Sequence, residues 1–321
     1  MDEPFGTRWG RRLRSCSLVT AAWFVTVLGL AALPLVALVD VLRGARLAWA
    51  RAQLALLCFL TCELLGLVAA GGVWFLHPLV SRERWLALNG GLQRSWVRAL
   101  FGALRLLYGM QLTVKGEHAL EEAGPLVVLS RHTSLVDTLL PVVILDGWRL
   151  RYVLKRELLW DPCLDVIGQR IPNAFVRRGS ENSAAELRRV SALATGLGAR
   201  EAAVIFPEGT RYTPAKRDQV IAYLARRGDG QALLHAEGLT HVLPPRRGGA
   251  QALLAACPEA SVLLLSHSGL EGAQTLASLT SGALIGRELH VRLEVFASAS
   301  VPRQPEAFQE WLLDAWSEMD R

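Results

Sequence analysis

Cysteines are few in this sequence and show no pattern typical of a metal site or of a disulfide framework. Five are spread over 321 residues, without the Cys and His spacings that structural zinc requires. Unpaired thiols are typical of a reducing compartment, which argues against a small disulfide-bonded secreted protein. A catalytic cysteine is not expected. The five are Cys16, Cys58, Cys62, Cys163 and Cys257.

Signatures of nucleic-acid binding are also absent, although the chain is basic. Lysine and arginine total 35 against 29 acidic residues, which gives a formal net charge of +6. No helix-turn-helix, zinc-finger or aromatic-basic RNA pattern accompanies that charge. Hydrophobic residues make up 51% of the sequence, and the mean hydropathy is +0.27. A basic and apolar chain favours an anionic membrane surface, so we expect membrane lipids and no nucleic acid among its partners.

Two long apolar runs occupy the first part of the chain, at residues 18–42 and 54–76. Each is as long as the roughly 20 residues that a helix needs to cross a bilayer, so the sequence predicts a transmembrane helical hairpin over residues 1–78. Two buried helices of a soluble bundle are the alternative, which is disfavoured because soluble helices rarely run apolar on all sides. Glu63 interrupts the second run, where it either marks function, is protonated, or packs against the other helix.

Arginines are distributed unevenly around the two apolar runs. Eight lie before the first run or soon after the second, against three between them. The positive-inside rule then predicts an integral membrane protein whose remaining domain lies on the cytoplasmic face. The eight are Arg8, Arg11, Arg12, Arg14, Arg82, Arg84, Arg94 and Arg98.

Residues 79–110 combine basic positions with apolar and aromatic ones at helical spacing. The pattern predicts amphipathic helices, interrupted at Asn89-Gly90-Gly91, that lie on the membrane interface, where tryptophans are favoured. Packing of this segment against the following domain is an equal alternative.

From residue 111 onward, short strand patterns alternate with helical ones. This alternation predicts an α/β fold with a mostly parallel sheet flanked by helices over residues 111–300, and a C-terminal helix over residues 301–321. Residues 269–286 carry no pattern that assigns them an element. The predicted strands are 111–115, 126–130, 150–154, 171–176, 202–206, 262–266 and 290–296, and the predicted helices are 135–145, 157–167, 182–197, 214–227, 249–256 and 305–319.

The stretch from Pro125 to Asp137 places a histidine where a buried strand ends. Residues 126–130 read as that strand, His132 follows it, and Asp137 comes five residues later. Strand exits are where α/β sheets usually carry reactive groups. If His132 lies in the turn and a helix begins near Ser134, the carboxylate can hold one ring nitrogen and leave the other as a general base. The alternative is a loop histidine beside a helix-start aspartate, without a chemical role.

A second strand exit carries residues that suit an anion site. Residues 202–206 read as a strand that runs into Pro207-Glu208-Gly209-Thr210-Arg211. Gly209 allows the backbone to approach a ligand closely, and Arg211 offers the two-pronged hydrogen bonding that phosphate favours. The alternative is a charged turn that caps the next helix.

Together these stretches resemble the glycerolipid acyltransferase superfamily, of the lysophosphatidic acid acyltransferase type. The hallmark of that family is a histidine, four residues and an aspartate, followed further along by Phe-Pro-Glu-Gly-Thr-Arg, and both motifs occur here in that order. A third motif is similar to residues 175–178, with Arg178 the better match, and a fourth is similar to residues 242–245. The resemblance spans about residues 111–265. Arg131 departs from it, because the family often has Asn there, and its charge could alter acceptor preference.

The resemblance implies a membrane enzyme that moves a fatty acyl group from acyl-CoA or acyl-carrier protein to the free hydroxyl of a lysophospholipid. The favoured acceptor is 1-acyl-glycerol-3-phosphate, which gives phosphatidic acid. His132 is the implied catalytic base and Asp137 orients it, with no metal or other cofactor. Oxyanion donors are expected near Gly209 or at a helix start. The implied substrate-binding residues are Arg178, Glu208, Gly209, Thr210 and Arg211, with Arg177 and Lys155 as weaker candidates.

Several alternatives stay open from the sequence. Each arginine named above could instead belong to a surface ion pair. The enzyme could act on another lysophospholipid or be a transacylase. A non-catalytic membrane lipid-binding protein with the same fold, or a soluble hydrolase that releases free fatty acid, are the alternatives from other classes.

Overall fold

The two apolar runs form a helical hairpin. In the first run, helix α1 (Phe5–Gly29) continues through one 3₁₀ turn into helix α2 (Leu33–Leu42), and the second run is helix α3 (Ala48–Leu76). Pro34 lies in the first turn of α2, where a helix tolerates its missing N–H. The structure is a computed structural model that describes residues 5–177, 183–228, 230–275 and 277–320.

A buried aspartate closes the turn of the hairpin. The Asp40 side chain lies near the end of α2, and its Oδ2 accepts from the backbone N–H of Ala50 at 3.0 Å. Backbone N–H groups in the first turn of a helix lack intrahelical partners, and this bond satisfies one at the start of α3. The polar residue at the end of the first apolar run is therefore a structural one.

Most of the apolar surface of the hairpin faces outward. The helical stretches Gly6–Leu42 and Ala48–Leu79 are long and apolar enough to cross a membrane, by length and composition. Only 11% and 22% of their most apolar windows are buried within the protein. Apolar surface costs about 25 cal/mol per Å² in water, so this outer surface is compatible with membrane association.

A single continuous helix, α4 (Arg82–Tyr108), follows the hairpin. It begins after Ser81, whose side chain accepts from the backbone N–H of Arg84, and ends at Gly109 in the left-handed conformation. Both ends are thus capped by the residue types that helices favour there.

The interruption predicted at residues 89–91 is wrong, because the helix runs straight through them. Asn89 is buried against the hairpin, and its side-chain amide donates to the carbonyl of Trp85 at 2.9 Å. Further along, Val97 and Phe101 pack into the core of the following domain. These contacts support the packing alternative for this segment.

The domain is built on one seven-stranded sheet within the described residues. Its strands are β1 (Gln111–Lys115), β2 (Leu126–Ser130), β3 (Arg149–Lys155), β4 (Ala174–Val176), β5 (Glu201–Ile205), β6 (Ser261–Ser268) and β7 (Glu288–Phe296). Their order is β1-β7-β6-β2-β5-β3-β4, and every neighbouring pair is parallel except β6 and β7. The central strand β2 is buried throughout, as its unbroken apolar sequence predicts.

Helices cover both faces of the sheet, which confirms the predicted α/β architecture. Alternate residues of β2 point to opposite layers, with Val128 on the side of α4 and Val127 on the side of the later helices. The remaining helices are α5 (Leu140–Ile144), α6 (Pro162–Val166), α7 (Ser183–Ala194), α8 (Pro214–Arg227), α9 (Gly230–Gly238), α10 (Arg247–Ala256) and α11 (Pro305–Asp320).

The helix predicted over residues 135–145 begins later than expected. A 3₁₀ turn covers Asp137–Leu139, and α5 follows it. The cause is the Asp137 side chain, which accepts from the backbone N–H groups of Thr133 and Ser134 and so holds these residues in a turn.

Further differences concern other elements. The helix predicted over residues 157–167 is instead a 3₁₀ helix, Arg156–Trp160, followed by α6. The strand predicted at residues 171–176 is shortened to β4, and α9 has no counterpart among the predicted helices. Residues 269–286, which had no assignment, contain a 3₁₀ helix at Ala277–Ser281 that packs against α3.

Polar contacts attach the hairpin to the domain. In α1, the Arg11 guanidinium pairs with the Asp165 carboxylate, with Nη2 3.0 Å from Oδ1 and both side chains buried. In α3, the buried Glu63 carboxylate accepts from the backbone N–H of Cys163 at 3.1 Å. Asp165 and Cys163 both belong to α6, so the hairpin lies alongside the domain. Glu63 thus packs against protein, but its partner is the domain and not the other hairpin helix.

Candidate active site

His132 and Asp137 meet at the carboxyl end of β2. Nδ1 of His132 lies 3.0 Å from Oδ1 of Asp137, and both side chains are buried. The pair forms because His132 lies in the turn before the short helix, the geometry that its spacing requires. A carboxylate accepts only, so this bond assigns the ring proton to Nδ1 and leaves the lone pair on Nε2.

The Asp137 carboxylate is held in its charged form. Burial alone would raise its pKa, but interactions with His132 and His267 outweigh burial and keep the pKa below its usual range. The second oxygen, Oδ2, accepts from the backbone N–H groups of Thr133 at 2.6 Å and Ser134 at 2.7 Å. A buried carboxylate with donors on both oxygens stays ionised at neutral pH.

The His132 imidazole is neutral at neutral pH. Burial lowers its pKa below the usual 6.5, against the raising effect of Asp137. The ring also lies against Phe206 of the second motif, with ring centroids 4.8 Å apart. A neutral imidazole of fixed tautomer, held by an ionised carboxylate, can act as a general base.

Glu208 braces the backbone of the site. Its Oε1 accepts from the N–H of His132 at 2.8 Å, and its Oε2 accepts from the N–H of Leu243 at 2.9 Å. Burial raises the pKa of this carboxyl to about 8, against the lowering effect of the two backbone bonds. With both oxygens engaged, Glu208 holds two loops together from a buried position.

The rest of the second motif turns sharply and returns to His132. Gly209 has a φ of +72°, which favours glycine, and its N–H donates to the carbonyl of Phe206 at 2.9 Å. That N–H is therefore already engaged and does not serve as an oxyanion donor. The N–H of Tyr212 then donates to the carbonyl of His132 at 2.7 Å. Thr210 accepts from the Lys216 ammonium at 2.8 Å, which steadies the same loop.

Among the described residues, four cationic side chains line the cavity into which His132 opens. They come from different elements, so this cluster is a product of the fold and not of one motif. Arg211 also donates from Nη1 to the carbonyl of Gln274, which fixes its guanidinium at the edge of the site. Arg178, which the sequence favoured over its neighbour Arg177, lies outside the described residues. The four are Lys155, Arg177, Arg211 and Arg246.

Arg246 is a member of this cluster that the sequence did not single out. Its backbone N–H donates to the carbonyl of Pro207 at 2.9 Å, which places it beside the second motif. Its guanidinium lies 3.7 Å from the point where a Cβ on Gly209 would stand. The two prolines before it gave the only sequence signal, a fixed loop entering the next helix.

The main cavity has a volume of about 1250 Å³ and extends from the imidazole to the hairpin. One wall comes from the strand ends and their loops, including His132. The opposite wall comes from apolar residues of the hairpin and α4, such as Val36 on α2, Phe59 on α3 and Trp96 on α4. The cavity therefore has cationic groups near His132, an apolar lining from the hairpin and α4, and two acidic side chains, Asp161 and Glu186. It is shared between the domain and the hairpin.

Arg131 points away from this cavity. Its Nη1 donates to the carbonyl of His267, and its Nη2 donates to the carbonyl of His241 at 2.9 Å. Glu271 lies 3.6 Å from the same guanidinium. Arg131, which departs from the family pattern, is thus a buried residue that connects two loops through their carbonyl groups. It does not reach the cationic cluster.

Comparison with known proteins agrees with these features. The Acyltransferase family model matches residues 111–264. Lysocardiolipin acyltransferase 1 of Danio rerio is 26% identical over 278 residues, which covers 82% of this chain and 69% of that protein. The 1-acyl-sn-glycerol-3-phosphate acyltransferase alpha of Homo sapiens is 32% identical over 116 residues, which covers 36% of this chain and only 40% of that protein.

A solved structure shares the fold. The 1-acyl-sn-glycerophosphate (LPA) acyltransferase PlsC from Thermotoga maritima has a TM-score of 0.53 and 14% identity, with 83% of this chain and 95% of that chain covered. The family match covers strands β1 to β5, the start of β6 and both motifs that converge on His132. Residues 111–264 therefore form an acyltransferase domain of the glycerolipid acyltransferase superfamily.

Proposed function

We propose that the protein is an integral membrane 1-acylglycerol-3-phosphate O-acyltransferase. It moves a fatty acyl group from acyl-CoA or acyl-carrier protein to the free hydroxyl of 1-acyl-glycerol-3-phosphate and forms phosphatidic acid. The observation that carries this proposal is the His132–Asp137 pair at the cationic end of a long apolar cavity. A phosphate-bearing lipid with an acyl chain matches both ends of that cavity.

The acceptor alcohol is the nucleophile, so the protein supplies the base. Nε2 of His132 takes the hydroxyl proton while the alcohol oxygen bonds to the thioester carbonyl carbon. Asp137 stabilises the imidazolium that forms. The carbon–sulfur bond then breaks, and the imidazolium returns its proton to the departing thiolate. Protons balance over the cycle, and no metal is required.

In this mechanism, cationic side chains bind the acceptor phosphate, and backbone N–H groups stabilise the developing oxyanion. Arg211, Arg246 and Lys155 bind the acceptor phosphate, since guanidinium and ammonium groups pair with phosphate oxygens. Arg177 belongs to the same cluster, and the sequence motif makes Arg178 a further candidate for phosphate binding. Gly248 and Gly249 line the cavity in the first turn of α10, where N–H groups lack intrahelical partners and suit a developing oxyanion.

The hairpin is the membrane anchor in this proposal. Its exposed apolar helices meet the acyl chains of the bilayer, and the arginine bias places the catalytic domain on the cytoplasmic face. The main cavity then receives a lipid acceptor beside the membrane and a polar donor from the aqueous side.

The test is an acyl-transfer assay with detergent-purified protein, labelled acyl donors and 1-acyl-glycerol-3-phosphate. His132→Ala is expected to lower turnover at least 1,000-fold, roughly the loss that follows removal of a catalytic base. The matched control is His290→Ala, because His290 is an exposed histidine on β7. Undiminished transfer in His132→Ala would falsify the proposal, and lysolipid binding without product would identify a lipid-binding protein.

A second acceptor deserves a direct comparison, because the relative that covers most of this chain is a lysocardiolipin acyltransferase. A lysophospholipid with a larger headgroup is the corresponding candidate substrate. Competition between the two acceptors in one assay decides, since the preferred one suppresses acylation of the other. Release of free fatty acid without an acceptor would instead indicate a hydrolase.

A further inference from the structure

A second imidazole approaches the carboxylate that orients His132. Nε2 of His267 lies 3.6 Å from Oδ2 of Asp137, the oxygen that His132 does not use. His267 is on β6, so this histidine reaches the site from a neighbouring strand and from outside both family motifs.

Strand register explains the position of His267. Parallel pairing aligns Ser130 of β2 with Leu265 of β6. His132 and His267 each follow two residues later in the same direction, so they lie at the same level of the sheet. The Arg131 guanidinium donates to the carbonyl of His267 and fixes the end of β6 at that height.

The ring N–H of His267 needs a hydrogen-bond acceptor. Its side chain is fully buried, and among the described residues neither ring nitrogen has a hydrogen-bond partner within the usual limit. A buried neutral imidazole carries one N–H that must find an acceptor. The Asp137 carboxylate stands just beyond hydrogen-bond range of Nε2, and a small rotation of the ring completes the bond.

Within the described part of the chain, the charged groups around the two rings include the Glu208 carboxyl, which accepts from the backbone N–H of His132. His132 is faced by Asp137, and more distantly by Lys155 and Arg211. His267 is faced by Asp137, and Arg131 approaches its carbonyl, with Glu271 beyond that guanidinium. Asp137 is thus the group through which one ring affects the other.

We infer that His267 is a positioning residue that donates from Nε2 to Asp137 Oδ2 and completes a His132–Asp137–His267 arrangement. The inference rests on the proposed acyl transfer. With a third donor on Oδ2, besides the backbone N–H groups of Thr133 and Ser134, Asp137 is a weaker base, and it stabilises the His132 imidazolium without taking its proton. The proton then remains on His132 until the departing thiolate accepts it.

Removal of this donor has an effect of defined sign. Without it, the Asp137 carboxylate holds more charge, and the imidazolium form of His132 is favoured, so the pKa of His132 rises. If His267 only filled space, its loss would let Asp137 move away, and the pKa of His132 would fall. The two roles therefore shift the same titration in opposite directions.

The experiment titrates His132 by NMR in full-length protein labelled at histidine, with the signal assigned by its loss in His132→Ala. His267→Phe is expected to raise the pKa of His132 by about half a unit and to lower kcat about ten-fold, a typical effect of one hydrogen bond to a charged group. His267→Gln keeps an amide N–H near the Nε2 position and is expected to retain both wild-type values. His290→Phe is the control for loss of a histidine.

An unchanged or lowered pKa in His267→Phe overturns the inference, and so does a Gln variant that behaves as the Phe variant does. If His267→Phe does not fold, His267→Met carries the same expectation. The titration needs no substrate. If the wild-type protein transfers no acyl group, the proposed function fails while the titration still reports whether His267 acts on Asp137.

Discussion

The hairpin and the carboxyl end of the sheet use buried charge for different purposes. In the hairpin, Arg11 and Glu63 each reach across to α6 and attach two parts of the molecule. At the sheet, Asp137 and Glu208 bond to backbone N–H groups that surround one imidazole. Attachment tolerates small shifts in geometry, whereas catalysis by a positioned base does not. The comparison therefore predicts that stability and activity can be damaged separately.

The largest expected effect is on activity alone, at the sheet. Asp137→Asn is expected to lower kcat about 1,000-fold, because an amide does not stabilise the Nδ1–H tautomer and the imidazolium. The amide oxygen still accepts from the backbone of the turn, so thermal unfolding should change little. Turnover and unfolding are measured on the same preparation.

Asp146→Asn is the matched control for that variant. Asp146 is exposed and pairs with Arg98 at the surface, so its substitution should leave turnover within two-fold, roughly the scatter of a neutral surface change. Loss of less than ten-fold in Asp137→Asn would contradict the role assigned to the carboxylate.

The second effect is on stability alone, at the hairpin. Arg11→Met leaves the buried Asp165 carboxylate without its main partner and should lower the free energy of unfolding by about 3 kcal/mol. Arg12 lies 3.4 Å from the same carboxylate and limits the loss. Denaturant unfolding in detergent measures the change, and kcat of the folded fraction should be unaffected.

Arg14→Met is the control here, because Arg14 is exposed on the same helix. If Arg11→Met lowers kcat while the free energy of unfolding stays unchanged, then the hairpin helps to position the catalytic residues. The contrast between the two regions would then not hold.

The smallest effect sharpens the comparison within the cationic cluster. Arg246→Ala should raise KM for the phosphate-bearing acceptor about ten-fold, with kcat nearly unchanged, because one exposed charge-assisted contact is lost. Arg247→Ala serves as control, since that guanidinium donates to the carbonyl of Pro305 instead. A rise confined to KM for the acyl donor would assign Arg246 to the donor phosphates.

Much of the fold could be predicted from local patterns. The central strands β2 and β5 are short apolar runs because both of their faces are covered, whereas β1 and β7 alternate polar and apolar residues. The break expected at residues 89–91 was wrong because two adjacent glycines weaken a helix by only about 1 kcal/mol each, and packing against the hairpin and the domain exceeds that cost.

The site was less accessible to sequence reasoning. His132 and Asp137 are close in sequence, so their pairing followed from the turn between them. Glu208, Arg246 and His267 act through backbone or side-chain contacts with residues far away along the chain. Such contacts depend on strand register and loop path, which periodicity does not specify.

The shared wall of the main cavity has a practical consequence. Val36 and Phe59 of the hairpin line one wall of the main cavity, and the opposite wall, which includes His132, belongs to the sheet. A fragment that began at Arg82 would keep His132 and Asp137, yet the main cavity would be open along the side that the hairpin lines. The apolar hairpin and the domain therefore build this cavity together, and neither part alone supplies all of its wall.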